Sequence, residues 1–233
     1  MEPRELNERS PLRVLKQSIR GGLGRGKIGV VVARHGVGKT AFLVGVALDD
    51  LLRGRMVLHV SLEQTVERVL VHYDEIFAEL VRAKELEDPW KVRLEIERNR
   101  RIHCYLGGSF STNKLRQALA FKKEHTGFDP AAILIEGFDF EKAETADLDA
   151  LREIAAECDA ELWMSAVTHR DSGTDDSGVP EPLAGLASAV DMILKMAHDG
   201  KVVSIGLIKD HDNPEPSDLR LALDPTTMLL IRE

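Results

Sequence analysis

The segment Ala33–Thr40, ARHGVGKT, joins residue types that together can hold phosphate. Gly36 and Gly38 let a backbone turn tightly and aim successive N–H groups inward. Lys39 can reach the outer phosphates of a nucleoside triphosphate, and the Thr40 hydroxyl can ligate a magnesium ion. A helix starting near Lys39 would add its positive end to the same cradle. The spacing fits a phosphate-binding loop, with Ala33 in the first glycine position. The candidate binding segment is therefore Ala33, Arg34, His35, Gly36, Val37, Gly38, Lys39, Thr40 and Ala41. The plainer alternative is a glycine-rich turn ahead of a helix.

Hydrolysis of a bound triphosphate also needs a carboxylate near the metal and a group that positions water. Glu136 ends the apolar run AAILIE, where a metal-side acid belongs, and Asp139 lies three residues on. Glu63, after the run MVLHVSL, can orient or deprotonate an attacking water, with Gln64 as a second polar contact. Thr168 and His169 follow LWMSAV, and either can sense a terminal phosphate. Each has a bland reading as well: Glu136 as a strand cap, Glu63 as a surface acid before a helix, His169 as a polar loop residue.

These residues share an edge only if the runs before them are parallel strands. Ile28–Ala33, Arg55–Leu62, Ile102–Leu106, Ala131–Ile135 and Leu162–Val167 read as strands, being short, apolar and bounded by glycine or charge. Helices are expected at Thr40–Leu52, Thr65–Glu87, Trp90–Arg101, Asn113–His125 and Thr145–Cys158, with Pro89 breaking the second from the third. A short helix is expected at Pro11–Gln17. The alternation predicts an α/β fold with a mainly parallel sheet covered by helices on both faces. Three closing strands, Val190–Met196, Val202–Ile208 and Thr227–Ile231, predict an antiparallel addition at the C-terminal end. The division is an N-terminal extension over residues 1–20 and one domain over residues 21–233.

The chain has 233 residues, enough for one large domain. The opening MEPRELNERSP lacks the apolar stretch of a secretory signal, and no run reaches the roughly 18 apolar residues of a membrane span. Cys104 and Cys158 form no CxxC pair. A cytoplasmic protein without membrane insertion is expected. The formal net charge is −8, so the overall field does not steer the chain to nucleic acid.

At this point the sequence resembles the RecA-like ATPases, and most closely the DnaB-type replicative helicase core with its KaiC and RadA relatives. The matching pieces, in family order, are GGLGRGKIGVVVARHGVGKTAF, VLHVSLEQ, AAILIEGFDF, LWMSAVTHR and SIGLIKDHDN. The resemblance implies a RecA-like P-loop fold that takes ATP and Mg2+. It implies that Lys39 and Thr40 are the phosphate lysine and the magnesium residue, and that Glu63 is the catalytic glutamate. Glu136 falls where an aspartate is usual, and His169 where a glutamine senses the γ-phosphate. Lys209 takes the place of a lysine that reaches a neighbouring subunit's nucleotide, but His211 stands where an arginine is usual. A neutral imidazole lacks the fixed charge and fork of arginine.

A second departure is the loop DSGTDDSGVPEP, which has acids and no Lys or Arg where the helicases place bases for the DNA backbone. Nucleic acid is thus disfavoured as a partner, although Arg98, Arg100, Arg101, Lys114 and Arg116 remain possible contacts. The favoured expectation is a stand-alone ATP-binding protein with slow Mg2+-dependent hydrolysis that controls self-association or a protein partner. A DNA-dependent ATPase, a non-hydrolysing nucleotide-binding scaffold and a protein kinase are the alternatives.

Overall fold

A computed structural model describes residues 10–13, 22–169, 172–213, 216 and 218–232. The elements in chain order are β1 (Ile28–Ala33), α1 (Lys39–Leu51), β2 (Val57–Ser61), α2 (Val66–Lys84), α3 (Pro89–Asn99), β3 (Arg100–Cys104) and α4 (Thr112–Thr126). They continue with β4 (Ala132–Glu136), α5 (Thr145–Glu157), β5 (Glu161–Val167), β6 (Met192–His198), β7 (Val203–Asp210), β8 (Leu221–Leu223) and β9 (Leu230–Arg232). The strands form one sheet in the order β3-β2-β4-β5-β1-β6-β7-β8-β9. From β3 to β6 every pairing is parallel, and from β6 onward every pairing is antiparallel.

Strand alternation divides the core into two layers. Val31, Ala33, Val57, Ala132 and Leu134 face α1, α2 and α3. Ile28, Val30, Val32, Leu58, Val60, Ile133 and Ile135 face α4 and α5. Both faces are covered, which is why the central strands read as unbroken apolar runs. Helix α1 is buried almost all the way round because the β8–β9 hairpin folds over its outer side. Leu230 sits so close to Gly45 that a Cβ there would lie 3.1 Å from its Cδ1.

Several expected boundaries move. Pro89 does not merely break a helix; it opens α3 at the first helical position, behind an Asp88 side chain that accepts from the Lys91 N–H. Arg100 and Arg101, expected to end that helix, instead begin β3. The closing strands start one to three residues later than their patterns suggest. An additional short strand, β8, and a 3-10 turn at Ala184–Ala189 have no counterpart among the expected elements. From residue 14 onward the expected helix Pro11–Gln17 lies outside the described residues, as does most of the extension over residues 1–20. Among the described residues no helix is long and apolar enough to cross a membrane.

Asp191 ties the start of β1 to the start of β6. Its carboxylate accepts from the Ile28 N–H at 2.9 Å and from Lys27 Nζ at 3.1 Å, and it pairs with Arg152. Burial pushes this carboxyl upward in pKa, but the Ile28 N–H, Arg152 and Lys27 outweigh it, and the group sits below the ordinary aspartate value. A depressed carboxylate stabilises fully above its unfolded pKa, near about 4, and the contribution is lost as pH falls through the folded pKa. Asp191→Asn is therefore expected to cost about 1–3 kcal/mol at neutral pH. The deficit should shrink towards zero in acid, as followed by urea unfolding at a series of pH values.

Candidate functional site

Because β1, β2, β4 and β5 run parallel, their C-terminal ends meet at one edge, the usual ligand edge of such sheets. The register fixes how deep each residue lies. Ala33 stands opposite Val167, whereas Ser61 stands opposite Glu136. Ile135 and Val30 both pair with Met164, so Glu136 lies below the level at which β1 ends. A cleft of about 1040 Å3 opens above this edge, between the loop after β1 and helix α2.

His35, Gly36, Gly38, Lys39, Thr40 and Ala41 line the cleft. Ala33 is buried at the end of β1, Arg34 is exposed, and Val37 packs against the core. The loop is pressed from behind by the C-terminal hairpin. Gly38 has φ +112°, and a Cβ there would lie 2.5 Å from Leu223 Cδ2. No L side chain fits that position, so a glycine is required where β8 supports the loop. Lys39 Nζ donates to the Ala33 carbonyl at 3.3 Å and to the Arg34 carbonyl at 3.0 Å. Burial lowers its pKa below the ordinary lysine value, while Glu63 and Glu136 act in the opposite direction. The ammonium is thus within electrostatic reach of both acids.

The two glutamates occupy different environments. Glu136 is only 4% exposed. Burial pushes its pKa up, but His59, Thr40 and His72 together hold it below the ordinary glutamate value. None of these contacts has full hydrogen-bond geometry; the nearest, His59 Nε2 to Oε2, is 3.4 Å. Both carboxylate oxygens therefore lack an aligned donor among the described residues. A buried, unpaired carboxylate is costly, and a cation or its hydrating waters would relieve it. Among the described residues no three His, Cys, Asp or Glu converge as a metal cage. Magnesium does not need one, since one or two side chains and substrate phosphates suffice. Thr40 and Glu136 thus fit Mg2+.

Glu63, in contrast, is exposed in the cleft and lies across Gly137. Gly137 has φ +77°, and a Cβ on it would stand 2.9 Å from Glu63 Cδ and closer still to Cγ. Gly137→Ala is therefore expected to destabilise by about 1–2 kcal/mol through backbone strain and to displace Glu63. Denaturant unfolding and a crystal structure of the variant check both effects.

The remaining expected residues are spread more widely. Asp139 lines the cleft but pairs with Lys142 Nζ at 2.6 Å, so its charge already has a partner. His169 lines the cleft, with Nε2 3.4 Å from Glu141 Oε1. Lys209 is not brought to the cleft: its Nζ donates to the carbonyls of Ala187, at 2.6 Å, and Val190. His211 is also turned onto its own chain, with Nδ1 2.9 Å from Asp210 Oδ1 and Nε2 2.9 Å from the Leu23 carbonyl. Of the basic residues weighed for nucleic acid, Arg116 pairs with Glu153 and Glu157. Arg100 lies over the Tyr73 ring, Arg101 donates to backbone carbonyls, and Lys114 donates to the Ser109 carbonyl.

Sequence reasoning missed His59. It lies inside β2, fully buried, with Nδ1 3.1 Å from the Tyr73 hydroxyl and Nε2 facing Glu136. The available signal was a single polar residue in the otherwise apolar stretch VLHV.

Among solved structures, the chain is similar to the ATPase domain of a DnaB helicase, with a TM-score of 0.69 and 16% sequence identity. The match covers 96% of this chain and 90% of that one. At this identity the likeness shows the fold: a RecA-like P-loop ATPase fold of the DnaB kind, with a mainly parallel sheet and antiparallel C-terminal strands. No protein-family model matches the sequence, and no curated protein does.

Proposed function

We propose that this protein binds ATP with Mg2+ in the cleft above the β1 loop and hydrolyses it slowly. The observation that carries this reading is the buried Glu136 carboxylate. Its oxygens lack an aligned donor among the described residues, and it lies near Thr40 and within electrostatic reach of Lys39. Loop N–H groups and Lys39 bind the phosphates. Thr40 and Glu136 hold the metal, which when bound would offset charge shared by the β- and γ-phosphates. Glu63, exposed to solvent in the cleft, orients a water for in-line attack on the γ-phosphate and draws its proton. His169 is placed to sense the γ-phosphate from the end of β5.

The nucleotide state would control self-association or a protein partner, in keeping with the fold match to an ATPase domain. Lys209 contributes to catalysis only by reaching a neighbouring subunit's nucleotide, and that requires release from the Ala187 and Val190 carbonyls. This engagement, together with that of His211, favours one second reading: a nucleotide-binding scaffold without meaningful turnover.

Phosphate release measured at several protein concentrations, with and without single-stranded DNA, separates the readings. Turnover that rises with protein concentration and ignores DNA supports control of self-association. DNA-stimulated turnover supports a DNA-dependent ATPase, and ATP binding with no release supports the scaffold. Failure to bind ATP with magnesium overturns them all.

A further inference from the structure

His59 occupies a position where an apolar residue would be easier to bury. On β2 it faces the same side of the sheet as Val57, towards α1 and α2, and it pairs with Leu134 of β4. That register makes Glu136 its diagonal neighbour across the strands, within reach of a long side chain. On its other side the ring meets Tyr73 of α2, edge to face, with ring centroids 5.7 Å apart. Tyr73 is itself buried, and Arg100 of β3 lies over its ring at 4.4 Å. A buried polar ring needs partners, and this one has two, at opposite nitrogens.

The partners decide where the proton sits. Nε2 stands 3.4 Å from a carboxylate oxygen. A bare nitrogen lone pair facing that oxygen would be repelled, so Nε2 carries a hydrogen. Nδ1, 3.1 Å from the phenol, then accepts the Tyr73 O–H in the neutral ring. Burial pushes the Tyr73 hydroxyl far above its ordinary pKa, so it remains a donor. The series runs from the Tyr73 hydroxyl to Nδ1, and from Nε2–H to Glu136 Oε2.

We propose that His59 is a positioning residue: anchored by Tyr73, it turns the Glu136 carboxylate towards the metal place beside Thr40 and so sets the magnesium requirement of nucleotide binding. The inference rests on the nucleotide-binding reading above. Partners of this kind behind a metal-side residue typically change metal affinity about 10- to 100-fold when removed. The present 3.4 Å separation is long for a hydrogen bond, so the lower end of that range is expected.

The test uses the full chain and a fluorescent ADP analogue, titrated at a series of Mg2+ concentrations and again in EDTA. His59→Phe is expected to raise the Mg2+ concentration for half-maximal binding about tenfold while leaving metal-free binding unchanged. His59→Gln, whose amide N–H can stand where Nε2–H stood, should recover most of the loss. Tyr73→Phe, which removes the anchor and keeps the ring, should shift the same midpoint in the same direction by about threefold, and it serves if His59→Phe does not fold. Thermal unfolding of each variant runs alongside. A wild-type magnesium requirement that all folded variants share would show His59 to be core packing and overturn the positioning role alone. A wild-type protein that binds nucleotide with no magnesium dependence overturns the metal assignment and the positioning role with it.

Discussion

Lys39→Ala is expected to abolish nucleotide-dependent behaviour while leaving the protein folded. The ammonium donates to the loop's own carbonyls, Ala33 at 3.3 Å and Arg34 at 3.0 Å. These are contacts that an incoming phosphate can replace with stronger, charge-assisted ones. Loss of a charged hydrogen bond of this kind costs about 1.5–3 kcal/mol, or roughly 10- to 150-fold in affinity. Turnover should fall further, because the same group stabilises charge that builds on the γ-phosphate in the transition state. The substitution also removes a cation within electrostatic reach of both Glu63 and Glu136. Apparent affinity should therefore fall even for ADP, whose phosphates then face two acids without that compensating charge. Titration with a fluorescent nucleotide and a phosphate-release assay read the two effects, and an unchanged melting curve shows that they are local. Wild-type affinity in this variant would place the nucleotide elsewhere.

The fold was legible where one physical signal dominated. Fully buried parallel strands have to be apolar on both faces, and β1, β4 and β5 were therefore visible as short runs of Val, Ile and Leu. The candidate edge was legible for a related reason, since parallel strands bring their C-terminal ends together and the chemistry-bearing residues follow those ends. What stayed hidden depends on contacts distant in sequence. The three-residue β8 is too short to show a period, and its strand character comes from pairing with β7 and β9. The inward turn of Lys209 and His211 depends on carbonyls at Ala187, Val190 and Leu23, which no local spacing announces. His59 was hidden in the same way. Its partners Tyr73 and Glu136 lie on α2 and β4, so the reason for a polar residue there exists only once the sheet is assembled. The boundary error at α3 was more local: Pro89 is a helix starter as readily as a helix breaker, and the Asp88 cap decides between them.

Glu63→Gln should produce the converse of the lysine variant, with binding retained and turnover lost. The argument rests on the contrast between two carboxylates at one sheet edge. Glu136 is buried beside Thr40, where it can serve a cation but has little room for a free water. Glu63 is exposed in the cleft and held across Gly137, where water has access. Environments that differ this much assign different roles to the same functional group. Glutamine keeps the shape and the contact with Gly137 but cannot take a proton from an attacking water. Loss of a positioned base typically costs about 10²- to 10⁴-fold in rate, so phosphate release should drop at least a hundredfold, with nucleotide affinity within about twofold of wild type. Gly137→Ala offers an independent check, because it displaces the same carboxylate without altering it. Its effect on turnover should be large in the wild-type background and absent in the Glu63→Gln background, since residues acting through one group do not add. If Gly137→Ala slows phosphate release equally in both backgrounds, its effect does not pass through Glu63. If Glu63→Gln alone turns over at the wild-type rate, another group positions the water.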